Sequence, residues 1–132
     1  MDITGHVFSE HVFSQIEEWL GICTSNHSKC AHNPSFTPRR LIDIGELSGV
    51  SEKTRAVRLV EDLDKPVQYI ALSHCWGNDQ TCTSTIANRS QRLRGIEWDD
   101  LPRTYHDTII VARRLKIRYI WIDSLCIIQD DL

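Results

Sequence analysis

Apolar side chains recur at three- and four-residue spacing through the first part of the chain, which predicts an amphipathic helix over Val7–Cys23. The positions on the predicted apolar face are Val7, Val12, Ile16, Trp19, Leu20 and Cys23. Ser9 or Ser14 lies near the expected start of this helix. The stretch 24–38 is rich in Ser, Asn, His and Pro, so it is predicted to be a loop.

Four short apolar runs predict strands of one sheet. Leu41–Ile44 and Ala56–Val60 alternate in part and are separated by a Gly-, Ser- and Lys-rich stretch, which favours a hairpin or meander near the sheet edge. Val67–Ser73 and Tyr119–Ile122 carry few charges and lack alternation, which is typical of central strands buried on both faces. A strand of this kind needs apolar cover on both faces. For Tyr119–Ile122 we predict that an apolar face remains exposed.

Two helices are predicted between the last two strands. A short one lies around Ile86–Leu93, and a longer one runs from about Tyr105 to Lys116, with Thr104 and Asp107 spaced as a capping box. One face of the longer helix is predicted to carry Tyr105, Thr108, Ile109, Ala112 and Leu115. A strand, a helical connection and a second strand form a βαβ unit, which is expected to be right-handed with parallel neighbouring strands. The fold class is therefore α/β, with a two-layer or three-layer sheet.

Composition and charge narrow the class of protein. The 132 residues fit one core, and 41% hydrophobic with 25% charged residues is ordinary for a soluble globular domain. A net charge of -3 gives no electrostatic basis for nucleic-acid binding, and no apolar stretch approaches the roughly 18 residues of a membrane span. Five cysteines without a secretion signal favour reduced thiols and a cytoplasmic protein.

Polar residues follow the two predicted central strands. Ser73, His74 and Cys75 come after the first, and Asp123, Ser124 and Cys126 come after the second. Carboxyl ends of parallel strands meet at one edge, where ligands bind in open α/β sheets, so these groups are expected to lie together. A nucleophile, a base and an orienting carboxylate could come from His74, Cys75, Asp123 and Cys126.

Structural roles compete with each of these catalytic assignments. Cys75 and Cys126 could be buried apolar fillers, and Asp123 could cap backbone amides of the following loop. Trp76 and Trp121 could serve core or rim packing.

A second group of side chains has the chemistry of a metal site. Cys23, His27, Cys30 and His32 form a C-x3-H-x2-C-x-H pattern, and all four could bind zinc. The alternative is that Cys23 belongs to the helix core and the two histidines lie free in a loop. Neither a G-x-G-x-x-G nor a Walker pattern occurs, which argues against a Rossmann dinucleotide enzyme.

Three segments resemble one known family in order and spacing. They are Tyr69–Gly77 (YIALSHCWG), then Gly95-Ile96 with Leu101–Thr104 and Asp107–Ile109, and finally Ile117–Asp131 (IRYIWIDSLCIIQDD). These resemble the motifs of the heterokaryon-incompatibility (HET) domain. The resemblance implies a lead-in over residues 1–40 and a HET domain over 41–132. The helix that normally follows the last motif is lacking, so the domain is expected to be incomplete at its C-terminus.

The resemblance also implies a function. HET domains are implicated in fungal self/non-self recognition and programmed cell death, and they have been related to the flavodoxin-like Toll/interleukin-1 receptor fold. A cytoplasmic signalling module that assembles through homotypic HET-domain contacts is the expectation that follows. Its contact surface would comprise Ser73, Trp76, Gly77, Asp123, Ser124, Gln129 and Asp130.

Two alternatives to a signalling module remain open. The chain could be an enzyme using the same edge, either an NAD-cleaving effector of the Toll/interleukin-1 receptor type or a small-molecule transforming enzyme. NAD cleavage would need a glutamate in a pocket, whereas Glu46, Glu52, Glu61 and Glu97 lie in predicted edges or loops. A shortened copy that regulates full-length relatives by occupying their interfaces is the other alternative.

Overall fold

The computed structural model describes residues 9–30, 36–46, 57–77 and 82–131. Contacts within the chain divide it into two compact units, Met1–Pro34 and Ser35–Leu132. Among the described residues, no helix is long and apolar enough to cross a membrane.

The first unit contains helix α1, Glu10–Asn26. Ser9 is its N-cap and accepts a hydrogen bond from the Val12 amide at 3.4 Å, which confirms one of the two predicted starts. The helix continues three residues beyond Cys23, so the beginning of the predicted loop is in fact helical. The predicted apolar face is also wrong in part, because Trp19 and Leu20 are 62% and 45% exposed. Phe13, which was not among the predicted positions, is the buried residue of α1.

The second unit is built on a four-stranded mixed sheet with the strand order β2-β1-β4-β3. Its strands are β1 Arg40–Asp43, β2 Arg58–Glu61, β3 Tyr69–Ala71 and β4 Tyr119–Trp121. Strand β1 is antiparallel to both β2 and β4, whereas β3 and β4 are parallel neighbours. The mixed α/β class and the parallel pair were therefore predicted correctly.

One prediction about strand position is wrong. The β3 strand is an edge strand of the described sheet and its residues are half-buried or exposed, so it is not buried on both faces. The interior positions belong to β1 and β4. Strand β1 pairs with the edge strand β2, as the predicted hairpin or meander near the sheet edge requires, and its residues Leu41, Ile42 and Asp43 are all buried. A run of three or four apolar residues cannot distinguish these cases, because the covering elements lie far away in sequence.

Helix α3, Arg103–Arg114, packs in the core together with one face of the sheet. Tyr105, Ile109 and Ala112 are buried at i, i+4 and i+7, and the apolar cluster they join includes Ile120 and Ile122. Residues Tyr119 and Trp121 point to the other face and are half-buried. The β4 strand is thus fully buried at Ile120 and half-buried at Tyr119 and Trp121, so the predicted apolar face is only partly exposed.

The ends of α3 differ from the prediction by two residues. Pro102 is the N-cap, and its carbonyl accepts the Tyr105 and His106 amides at 2.9 and 3.1 Å. Thr104 is therefore already inside the helix and makes no capping box. At the other end, Lys116 adopts a left-handed backbone (φ 59°), and the chain turns directly into β4.

Two short helical elements lie in the described part of the connection between β3 and α3. Helix α2 covers Arg89–Arg94, and a 3-10 turn covers Trp98–Asp100. The predicted helix began at Ile86, but residues 86–88 form a turn in which the Asn88 carboxamide accepts the Thr85 amide at 2.8 Å. A final short helix, α4, spans Asp123–Cys126 directly after β4.

Two carboxylates of the sheet are neutralised by arginine. Asp43 accepts both Nε and Nη2 of Arg118, at 2.8 and 3.0 Å, and its side chain is 5% exposed. Burial by itself would raise the pKa of Asp43, but the hydrogen bonds and charge of Arg118 outweigh it and hold the pKa below its ordinary value. Glu61 is held in the same way by Arg40 and Arg89, and its pKa is likewise lowered against the effect of burial.

Candidate functional site

The parallel pair β3 and β4 brings the two predicted polar segments to a common edge. Tyr69 pairs with Tyr119 and Ala71 with Trp121, and the Leu72 amide continues the ladder by donating to the Trp121 carbonyl at 2.9 Å. The two segments that follow β3 and β4 then leave the sheet in the same direction. We call residues 73–77 and 123–131 at this edge the rim.

The first half of the rim alternates between inward and outward side chains. His74 and Trp76 are partly buried, whereas Ser73, Cys75 and Gly77 are exposed. Gly77 has a φ of 65°, a left-handed backbone conformation that residues other than glycine adopt only at a steric cost. The segment therefore directs one imidazole and one indole towards the second half of the rim and ends in a turn.

Asp123 is the point at which the two halves of the rim meet. One of its oxygens, Oδ1, accepts the Trp76 indole N–H at 2.9 Å and the Ser124 amide at 2.8 Å. The same oxygen lies 3.9 Å from His74 Nδ1. The side chain of Asp123 is still 37% exposed. Asp123 thus caps a backbone amide of the following loop, which was one predicted role, and it remains accessible to a ligand or partner, which was the other.

A buried hydroxyl network lies beneath this carboxylate. The Tyr105 hydroxyl contacts His74 Nε2 at 3.2 Å and is also hydrogen-bonded to the Ser124 hydroxyl. The His74 and Tyr105 rings meet edge to face, with centroids 5.3 Å apart. His74 Nδ1 is buried and makes no hydrogen bond with any of the described residues. Burial is the main cause that raises the pKa of Tyr105, and the nearby Cys82, Asp123 and Cys126 raise it further.

Tyr105 was not among the site residues predicted from the sequence. Its position on the apolar face of α3 predicted only that it would be buried. A signal was nevertheless available, because a buried tyrosine hydroxyl generally needs a hydrogen-bond partner. What the sequence could not provide was the identity of that partner, since His74 and Ser124 are 31 and 19 residues away.

The two rim cysteines occupy different environments. Cys126 is buried, its thiol accepts the Ile122 amide at 3.4 Å, and burial raises its pKa to about 11. A thiol with such a pKa is protonated at neutral pH and is a poor nucleophile. Cys75 is exposed on the outward side of its segment. The arrangement therefore presents a histidine, a carboxylate and hydroxyl groups, and the buried thiol has a packing role.

Hydrogen bonds fix the loop that completes the rim. The Gln129 carboxamide donates to the Ile127 carbonyl at 2.8 Å and to the Asp123 carbonyl at 3.1 Å. Asp130 accepts the Ile86 amide at 2.8 Å, which ties the loop to the connection before α2. The isoleucines at positions 86 and 127 are 62% and 47% exposed. The loop is thus held by hydrogen bonds. Ile127 in the loop and Ile86 beside it display apolar side chains to solvent.

All of these rim residues lie in a segment that matches one protein family. Residues 69–132 match the family model of the heterokaryon incompatibility protein (HET). This part of the chain is therefore similar to that family. Searches of curated proteins and of solved structures found no match. The motifs at Tyr69–Gly77 and Ile117–Asp131 of the HET segment therefore contain the two halves of the rim.

Glutamate is absent from the centre of the described HET rim. Glu61 lies at the end of β2 with its side chain 10% exposed and is engaged by two arginines. Glu46 and Glu97 follow β1 and precede the 3-10 turn, and Glu52 lies outside the described residues. A surface cavity of about 260 Å³ lies at α2. It is lined by Gln91, Arg92, Arg94, Gly95, Ile96, Glu97 and Asp100.

The cysteine and histidine side chains of the first unit also come together. One ligand atom from each of Cys23, His27 and Cys30 lies within 4.8 Å of the other two. His32, the fourth residue of the predicted zinc pattern, lies outside the described residues. Cys23 is partly buried and the other two are exposed. A hydrogen bond with Cys30 is the main cause that raises the pKa of the Cys23 thiol.

Proposed function

We propose that this chain is a cytoplasmic signalling and interaction module of fungal heterokaryon incompatibility, which triggers programmed cell death by assembling with another HET domain. The observation that carries the proposal is the rim, in which hydrogen bonds hold an exposed surface of apolar and acidic side chains. The match of residues 69–132 to the HET family model supports the biological setting. The parallel β3–β4 pair is also compatible with the proposed relation to the Toll/interleukin-1 receptor fold.

The rigidity of the rim favours association. A surface that is ordered before binding loses less conformational entropy on association than a flexible loop does. Gln129 and Asp130 supply this order by bonding to Asp123, Ile127 and Ile86. Loops fixed on a rigid scaffold commonly carry binding function, and here they adjoin the partly exposed carboxylate of Asp123.

The chemistry of the exposed groups suggests how a partner is recognised. Ile127 and Ile86 offer apolar area, while Ser73, Asp123 and Asp130 offer polar groups around it. An apolar centre with a polar border is the usual arrangement of a protein interface. We therefore assign the contact surface to the rim, with Trp76 and Ser124 as its internal support.

Replacing Ile127 with glutamate tests the assembly proposal. The variant introduces a charge at a side chain that is already 47% exposed, so folding should be preserved. We expect the concentration-dependent rise in mass, measured by light scattering, to disappear and cell killing to fall at equal protein levels. Lys116→Glu is the control, because Lys116 is exposed at the end of α3, before β4 begins. Equal assembly and killing by wild type and Ile127→Glu would refute the proposed surface.

A pair of substitutions at Asp123 separates charge from structure. Asp123→Asn retains an oxygen that can accept the Trp76 and Ser124 N–H groups, whereas Asp123→Ala removes it. If the negative charge contacts a partner, both variants should lose killing and assembly while Asp123→Asn keeps wild-type stability. Full killing by a folded Asp123→Ala protein would exclude Asp123 from the functional surface.

An enzyme that uses the same rim is the second candidate, and one observation favours it. His74 Nδ1 is buried without a hydrogen bond among the described residues and lies 3.9 Å from the Asp123 carboxylate. A histidine oriented by a carboxylate is a frequent general base, and a small shift would join the two groups. Incubating the protein with NAD and measuring nicotinamide release tests the nucleotide-cleaving form of this candidate. Release that is lost in His74→Gln would support it, and no release from wild type at high protein concentration would refute it.

A further inference from the structure

The end of α1 has the geometry of a short metal-binding motif. Cys23 lies in the last turn of the helix, and His27 is its C-cap, whose amide donates to the Cys23 carbonyl at 3.1 Å. The chain then folds back, because the Cys30 amide donates to the His27 carbonyl at 2.9 Å. The spacing of four and then three residues places two thiols and one imidazole on one side of this turn.

We propose that Cys23, His27 and Cys30 bind a Zn²⁺ ion. In a tetrahedral zinc site, Zn–S bonds of about 2.3 Å and Zn–N bonds of about 2.0 Å separate the ligand atoms by roughly 3.5 to 3.8 Å. The three ligand atoms already lie within 4.8 Å of one another, so an adjustment of about 1 Å brings them onto a common ion. Such a movement is within reach of side chains that are exposed or only partly buried.

The choice of zinc follows from the donor atoms. Two thiolates and one neutral imidazole are soft and borderline ligands, which favour zinc over the oxygen-binding ions Mg²⁺ and Ca²⁺. Two thiolate charges balance the charge of the ion, so the bound site would be neutral. Each thiol must release its proton when it binds, and affinity should therefore increase with pH until both are ionised.

The size of the first unit gives the site a structural purpose. Met1–Pro34 is one compact unit, and its described helix buries a single residue, Phe13, while Trp19, Leu20 and Ile22 stay exposed. Units below about 40 residues rarely bury enough apolar surface to be stable and commonly use a metal or disulfides instead. A zinc ion at the helix end would fix the turn that closes α1.

Cobalt substitution measured on the full chain tests the proposal directly. Co²⁺ bound by two thiolates should give strong thiolate-to-cobalt absorption and visible bands typical of tetrahedral coordination, and Zn²⁺ should displace it at one equivalent. Cys30→Ser and His27→Ala should each weaken zinc affinity by more than about tenfold, since even residues that only support a ligand contribute 10- to 100-fold. Cys75→Ser is the matched control, because it removes an exposed thiol from the other unit.

The same samples distinguish a metal site from a disulfide. Under reducing conditions, zinc should protect two thiols from alkylation in wild type and none in Cys23→Ser, and chelation should restore their reactivity. Circular dichroism should show a loss of helicity on chelation that Cys75→Ser shares and Cys30→Ser lacks. The absence of thiolate-to-cobalt absorption, or zinc affinity unchanged in Cys30→Ser, would overturn the proposal.

Discussion

Replacing Tyr105 with phenylalanine removes one oxygen atom from the buried hydroxyl network beneath the rim. Tyr105 is 4% exposed, and its hydroxyl is bonded to both His74 Nε2 and the Ser124 hydroxyl. The variant keeps the ring and its packing against the core. It leaves two polar groups without the partner that they have in the native protein.

The expected loss of stability follows from the burial of those two groups. Ser124 is 2% exposed, so its orphaned hydroxyl should incur most of the penalty for an unsatisfied buried group, about 1–3 kcal/mol. The His74 side chain is 12% exposed and can partly return to water, so its lost bond should add at most about 1 kcal/mol. We expect the free energy of unfolding to fall by about 1–4 kcal/mol in total.

Urea denaturation followed by tryptophan fluorescence measures this change. With a urea dependence of about 2 kcal/mol per molar, the midpoint should fall by roughly 0.5–2 M. Tyr69→Phe is the control, because it removes the same atom from a half-buried position on β3. Adding Ser124→Ala to Tyr105→Phe removes the orphaned hydroxyl as well. The double variant should therefore be more stable than the sum of the two single changes predicts, by about 1 kcal/mol.

Two results would refute this reasoning. A Tyr105→Phe midpoint equal to that of Tyr69→Phe would mean that the hydroxyl network contributes nothing to stability. Strict additivity of the Tyr105 and Ser124 changes would mean that the two hydroxyl groups do not interact in solution.

Three further predictions concern Asp43 in the sheet and the rim residues Cys75, Cys126 and Gly77. Asp43→Asn should lower the free energy of unfolding at pH 7 by about 1–3 kcal/mol, discounted because Arg118 is partly exposed. Because the pKa of Asp43 is lowered on folding, its stabilisation is present above its unfolded pKa of about 3.9 and lost as pH falls through the folded value. The Asp43→Asn curve of stability against pH should therefore be flatter than that of wild type below pH 4, and parallel curves would contradict this. In the native protein at pH 8, Cys75 should be alkylated at least about 100-fold faster than Cys126, as followed by peptide mass spectrometry, because the Cys126 thiol is buried with a pKa of about 11. Gly77→Ala should destabilise by about 1 kcal/mol at a φ of 65°, and Gly77→Asn by less, with equal urea midpoints as the contrary outcome.

The sequence predicted the features that depend on local pattern and chain connectivity. Two apolar runs joined by a helical connection predicted the parallel β3–β4 pair, and that pair brings His74 and Asp123 to one edge. The buried face of α3 was predicted from its 3.6-residue period, including the burial of Tyr105. These inferences need only the geometry of single elements and the rule that parallel neighbours end together.

The features that the sequence did not predict depend on tertiary contacts. An apolar run of three residues forms both the edge strand β3 and the interior strand β4, and only the order of strands in the sheet distinguishes them. Thr104 matches a capping box in sequence, yet Pro102 begins the helix earlier because its fixed φ suits the cap position. The bond between Tyr105 and Ser124 arises because α3 and α4 pack at the same end of the sheet, which no local period records.

The three acidic side chains at the sheet differ in what neutralises them, and this difference identifies the one available to a partner. Asp43 and Glu61 are each bonded to arginine, so their charges are satisfied within the fold. Asp123 is held by the indole of Trp76 and a backbone amide, which are neutral donors, and it remains 37% exposed. Its negative charge is thus fixed in position without being cancelled by an arginine. A cationic group on a partner would gain from meeting this preordered carboxylate, so loss of charge in Asp123→Asn should impair assembly even though the rim keeps its shape.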